Sequence, residues 1–392
     1  MSATSDRPTP DGHTPFRVQI EDGVLDDLRD RLARTRWPDP APDGDWAYGS
    51  ELGYVRELCE YWRTEFDWRA AEARLNEWPQ FMAEIDGESL HYLHVRSPHA
   101  DALPLVMTHG WPGSVSEFLD VIGPLTDPAA HGGDPRDAFH LVCPSMPGYG
   151  FSGPTRQEGW NIDRVSRAVI TLMAELGYDR YGAQGGDWGA ISTARMGLND
   201  PEHIVGIHLN MAVAGPPDPT NPMEGVEEHE LADLAAMQQF SERETGYQQI
   251  QGTKPQTLAY GLMDSPAGLA AWIVEKFRTW TDCDGDVETA LTKEQMLTDI
   301  TIYWATGTIG SSMRLYRETR AAGMFGAPPT KVQVPTGVAM FPHELYRPPR
   351  AWIAAQYDLV HHRRFERGGH FAAMEQPDSL IEDVRDFFRP LR

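Results

Sequence analysis

The chain is poor in cysteine, with three residues, Cys59, Cys143 and Cys283, among 392. An odd, widely spaced trio excludes a disulfide framework and a thiolate metal site, and it fits structural thiols in a reducing compartment. Basic residues are scarce beside acidic ones, 34 Lys and Arg against 58 Asp and Glu, which leaves a formal net charge of −24. That charge repels nucleic acid and anionic membrane and favours small neutral ligands. No apolar run is long enough to cross a bilayer, and the polar, Pro-rich stretch from Met1 to His13 lacks a basic flank with an apolar centre. The expectation is therefore a soluble, cytoplasmic protein. Internal repeats and low-complexity tracts are also missing, which excludes a solenoid.

What is present suffices for a folded enzyme. Apolar residues make up 41% and aromatics 10%, enough to bury one large core plus an accessory unit and to exclude disorder. Residues 16–36 read as a charged helix with Leu25, Leu28 and Leu32 on one face, closed by Trp37-Pro38, and residues 51–76 read as a second helical stretch. From Leu103 the pattern changes to short apolar runs, each followed by a turn and an amphipathic segment: Leu103–Thr108, Phe139–Cys143, Arg180–Ala183 and Ile204–Asn210. Alternating strand and helix predicts a mostly parallel sheet. The rhythm stops at Gly215-Pro216-Pro217, and helical stretches follow near 228–243, 267–280, 293–305 and 310–321, set off by Thr253-Lys254-Pro255 and Asp264-Ser265-Pro266. Strands resume at Val332–Met340 and Leu359–Phe365, before a last helix from Pro377 to Phe388. The expected organisation is an N-terminal helical extension over residues 1–95 that packs on the core, an α/β core over 96–212 and 331–392, and a helical lid over 213–330.

The chemistry concentrates in Gly185-Gly186-Asp187-Trp188-Gly189. A carboxylate between glycines at a strand–helix junction matches the nucleophile elbow of the α/β-hydrolase fold, with Asp in the place of Ser. The elbow needs glycines because the turn is strained and its neighbours are close. An isolated G-x-D-x-G would more often be a helix cap, so the assignment of Asp187 depends on distant partners. Two backbone N–H groups are candidates for holding an oxyanion: Trp188, opening the following helix, and Trp111, in the loop His109-Gly110-Trp111-Pro112-Gly113. His370, in Gly368-Gly369-His370, follows the last strand, where this fold places its histidine. Glu344, just past Val332–Met340, is the candidate acid, with Asp358 and Asp218 as rivals, while His361 and His362 read as surface or core residues. No metal and no cofactor are expected: there is no His-Glu-x-x-His, and His91 and His94 would point to opposite faces of a strand.

Together these residues resemble the microsomal-type epoxide hydrolases, which include juvenile-hormone and soluble microbial members. The likeness extends through Tyr61-Trp62-Arg63, Trp78-Pro79-Gln80-Phe81, the His109 loop and the elbow, and on into the lid at Gly246–Pro255, Gly261–Pro266 and Tyr303–Thr308. The resemblance implies an alkyl ester on Asp187, hydrolysed by water that His370 and Glu344 activate. It further implies that Tyr247 and Tyr316 donate to the epoxide oxygen, ahead of Tyr260 and Tyr303 as substitutes. The animal members carry a membrane anchor, and this sequence has no such segment. The partners implied are an epoxide and water, with a homo-oligomer left open, in detoxification or secondary metabolism. The competing readings are a haloalkane or haloacid dehalogenase with the same nucleophile, and a ligand-binding homologue without turnover.

Overall fold

The computed structural model describes residues 12–42 and 44–392, so most of the polar stretch read at residues 1–13 lies outside the described residues. The N-terminal part opens with β1 (Thr14–Phe16), followed by α1 (Asp22–Ala33), α2 (Leu52–Thr64) and α3 (Trp68–Leu75). The helical stretch read at 51–76 is thus two helices. The break falls where the Asp67 side chain accepts from the N–H groups of Arg69 and Ala70, capping a new helix rather than extending the old one. The hairpin β2 (Gln80–Ile85) and β3 (Glu88–Val95) then joins the main sheet, so this region supplies strands as well as helices.

The core continues with β4 (Leu103–Thr108), α4 (Leu119–Thr126), β5 (Phe139–Pro144), α5 (Ile162–Glu175), β6 (Tyr181–Gly185), α6 (Asp187–Asn199) and β7 (Ile204–Leu209). Among the described residues, nine strands form one sheet in the order β1-β2-β3-β5-β4-β6-β7-β8-β9, with β8 at Val332–Met340 and β9 at Tyr357–Arg364. Strands from β5 to β9 pair in parallel, and only the N-terminal ribbon is antiparallel. Because β9 begins at Tyr357, Asp358 lies inside the strand and not before it.

Between β7 and β8 come α7 (Leu231–Arg243), α8 (Gly246–Gln251), α9 (Pro255–Asp264), α10 (Pro266–Trp280), α11 (Lys293–Thr306) and α12 (Ile309–Ala321). The Pro-containing segments that punctuate the sequence here start helices, since Pro is tolerated at a first turn. The chain closes with α13 (Arg350–Gln356), α14 (Ala372–Glu375) and α15 (Pro377–Phe388). On α15, Leu380, Ile381, Val384, Phe387 and Phe388 form the buried stripe against the sheet. Asp383 on the same helix joins His208 of β7 at 2.9 Å and His361 of β9 at 2.8 Å, so His361 has a structural partner.

Ion pairs and hydrogen bonds tie the inserted helices down. Asp233 of α7 pairs with Arg347 at 2.7 Å and Arg364 at 2.6 Å, and Tyr303 of α11 donates to the Gly113 carbonyl at 2.8 Å. Trp62 of α2 donates to Thr301 at 2.9 Å, linking the N-terminal helices to the same layer.

Candidate active site

Asp187 sits at the tip of β6 with φ 50°, one of three non-glycine residues with positive φ among those described. A left-handed conformation costs an L-residue energy, and such strain tends to persist at functional sites. The surrounding glycines are required by contact. A Cβ on Gly189 would lie 1.8 Å from the Thr108 carbonyl oxygen, and one on Gly110 would lie 2.2 Å from Asp187 Oδ1. The strand end, the elbow and the His109 loop therefore meet with no room for side chains.

The two oxygens of Asp187 face different partners. Trp111 N–H donates to Oδ1 at 2.7 Å, while Oδ2 lies 3.5 Å from His370 Nε2. The other ring nitrogen of His370, Nδ1, is 2.7 Å from Glu344 Oε1, which also accepts from Leu345 N–H at 2.6 Å. His370 is further fixed by its own N–H, which donates to the Trp280 carbonyl at 2.9 Å. Trp188 N–H belongs to the first turn of α6, where helix geometry leaves it without an i−4 partner. The structure thus gathers Asp187, Trp111, Trp188, Glu344 and His370 in one place. Asp218 is exposed on a separate loop, with its carboxylate turned to Thr220.

Glu344 and His370 are 1% and 4% exposed, so their charges interact with little screening. Burial opposes protonation of His370, but Glu344 and Asp187 outweigh it and hold the imidazole pKa well above its usual value. His109 behaves in the opposite way: burial pushes it down to about 4, and it braces the loop through Gly110 O and the Met146 N–H.

Tyr247 and Tyr316 both come from the inserted helices and are buried opposite the elbow, their ring centroids 6.0 Å apart. Tyr247 stacks on Trp111 at 5.3 Å, and Tyr316 meets Trp188 edge-on at 4.8 Å. Burial, reinforced by Asp187, pushes both phenols well above their usual pKa and keeps them protonated. Gln248 donates to the Tyr247 oxygen at 3.0 Å, leaving the phenol's own proton available, and the Tyr316 hydroxyl is buried beside Tyr247 and Trp188, with no well-formed hydrogen bond among the described residues. Tyr303 is committed to Gly113, and Tyr260 is 73% exposed, so neither competes.

Two carboxyls escaped sequence reasoning. Glu117 lines a cavity of about 20 Å³ together with Asp187, His370, Trp111 and His109, a volume fit for about one water molecule. Burial and the nearby Asp299 raise the Glu117 pKa, and burial carries Asp299 up to about 7. The signal was faint: Glu117 lies one 3-10 turn beyond Gly113, whose missing Cβ makes room for its carboxyl.

The family pattern described as "Epoxide hydrolase N terminus" matches residues 13–118, and the "alpha/beta hydrolase fold" pattern matches residues 104–263. A Stigmatella aurantiaca relative that carries the epoxide hydrolase name is 46% identical over 97% of this chain and 86% of its own length. Epoxide hydrolase 1 of Oryctolagus cuniculus is 39% identical over 95% of this chain and 88% of its own. The crystal structure of juvenile hormone epoxide hydrolase from Bombyx mori superposes with a TM-score of 0.88 at 32% identity, covering 98% of this chain and 96% of that one.

Proposed function

The chain belongs to the epoxide hydrolase family, and we propose that it converts an epoxide to a vicinal diol through an alkyl ester on Asp187. The single observation that carries this reading is the division of the Asp187 carboxylate between Trp111 N–H and the His370–Glu344 pair, with two buried phenols opposite. The carboxylate attacks an epoxide carbon while Tyr247 and Tyr316 hold the oxygen, whose charge develops as the ring opens. Water, deprotonated by His370 with Glu344 orienting the ring, then adds to the ester carbonyl, and the N–H groups of Trp111 and Trp188 hold the oxyanion.

Functional units follow the same reading: an N-terminal extension over 1–95, a core over 96–212 and 331–392, and a lid over 213–330 that supplies the phenols. A cytoplasmic setting is supported by three buried, unpaired cysteines, and no helix among the described residues is long and apolar enough to cross a membrane.

The test is a single turnover, with enzyme in excess, in water labelled with a heavy isotope of oxygen. Water attacks the ester carbonyl, so the label is expected in the Asp187 carboxylate while the first diol formed carries none. Label in that first diol would mean direct attack of water on the epoxide, and the ester reading would fall.

The imidazole sets the pH dependence. Its raised pKa depends on two carboxylates, and esterification of Asp187 removes one of them at the step where His370 must accept a proton. The neutral base is populated above its pKa, so ester hydrolysis is expected to speed up as pH rises and to level off once His370 is deprotonated. Rapid-quench mass spectrometry during turnover should find more ester at acidic than at alkaline pH. Ester occupancy that rises with alkali would contradict the assignment.

A further inference from the structure

Helix α10 carries Trp272, Lys276 and Trp280 four residues apart, on one face. Lys276 is 5% exposed, although its long stem would ordinarily reach water. Its ammonium is instead paired with Glu275 and held 4.7 Å from the centroid of the Tyr247 ring, 5.8 Å from that of Trp280 and 6.0 Å from that of Trp272. No contact of this kind reaches Tyr316 among the described residues. Its ring neighbours are Trp111, Trp188, Tyr247 and Phe325.

We propose that Lys276 is a positioning residue that makes Tyr247, and not Tyr316, the phenol that gives its proton to the opening epoxide. The inference rests on the ester mechanism above. When the Asp187 oxygen forms its bond to carbon and the epoxide C–O bond breaks, the freed oxygen takes the phenolic proton and leaves a tyrosinate. In the second half-reaction His370 takes one proton from water. The new carboxyl group of Asp187 gives its proton to the departing alkoxide, and the imidazolium returns its own to the tyrosinate. The tyrosinate is therefore a full charge that must persist through the life of the ester.

A cation over the ring is attracted to the neutral phenol and far more strongly to the phenolate, so it stabilises the transition state of ring opening over the ground state. The titratable groups that face Tyr247 include Asp187, Tyr149, Tyr316, Tyr346 and Lys276. Burial, Asp187 and Tyr346 all oppose ionisation of the phenol, and the Lys276 ammonium, itself paired with Glu275, is the cation placed over the ring to offset them. Gln248, which donates to the Tyr247 oxygen, assists from the other end of the ring. Tyr316, without a cation, is left to hydrogen-bond the oxygen and orient it.

The experiment separates the two half-reactions by rapid-quench mass spectrometry, using styrene oxide and the full chain. Lys276→Met should slow ester formation roughly thirty-fold, the rate equivalent of a desolvated cation–π contact, and leave ester hydrolysis within about twofold. Lys276→Arg should recover most of the loss, and in a Tyr247→Phe background Lys276→Met should cost nothing more. Ring-substituted styrene oxides with better-stabilised alkoxides should shrink the penalty. Should Lys276→Met fail to fold, Lys276→Gln is compared in the same way. Equal slowing of both half-reactions, or an undiminished penalty in Tyr247→Phe, would overturn the assignment. No ester in the wild type would instead overturn the underlying mechanism, whereas ester formation unaffected by Lys276→Met would overturn this inference alone.

Discussion

A His370→Gln variant is expected to form the ester and then stop. Glutamine keeps a polar group in the space between Asp187 and Glu344 but has no basic nitrogen to take a proton from water. The nucleophile and the two phenols are untouched, so alkylation proceeds. Turnover should fall about 10⁴-fold, the scale of losing a general base that acts as part of a unit. Intact-protein mass spectrometry after mixing should find the protein heavier by the mass of one epoxide, with the adduct on the peptide containing Asp187. Asp187→Ala should lose turnover to a similar extent and form no adduct at all. The contrast between the variants carries the prediction, because loss of fold would abolish the adduct in both. An unmodified His370→Gln protein, from a wild type that turns over the same epoxide, would sink the mechanism.

Much of this arrangement was legible from the residues because local constraints are strong where the chemistry sits. The strand bounds at Leu103–Thr108 and Val332–Met340 and the helix at Pro377–Phe388 coincide with the observed elements. Those segments have clear periodicity and sharp ends. Glycines flanking Asp187 mark the elbow because each answers a contact that a Cβ would make impossible. Legibility failed where tertiary context decides. The ribbon of β2 and β3 went unread as part of the main sheet because β3 meets β5, a pairing that no local pattern announces. Helix α9 was hidden because Pro255 read as part of a separator and instead sits at the helix start, and α8, at 6 residues, is too short to show a helical period. Glu117, Asp299 and Lys276 carry no motif. Their significance comes from burial, of Glu117 beside Asp187, of Asp299 beside Glu117 and of Lys276 beside Tyr247, which depends on how α10 and α11 pack in the fold.

Gly189→Ala is expected to have the second large effect, although it adds one methyl group far smaller than those many cores absorb. The added carbon would lie 1.8 Å from the Thr108 carbonyl oxygen, 2.5 Å from its carbon and 2.7 Å from the His109 carbonyl oxygen. All three are backbone atoms at the end of a central strand, so no side chain can swing aside. Either α6 shifts away from β4, or the His109 loop moves and takes Trp111 N–H from Asp187. The first route strains the core by about 3 kcal/mol, at the upper end of overpacking costs. The second displaces the oxyanion donor, and an error of about 1 Å there costs roughly 10²-fold in rate. Thermal unfolding and steady-state turnover should therefore both decline. Gly261→Ala makes the matching control: it lies inside α9 with nothing within 4 Å of the new carbon, so it should be neutral or stabilising by about 0.5–1 kcal/mol. If Gly189→Ala matched that control in both measurements, the close approach of elbow and strand could not be what holds Asp187 in place.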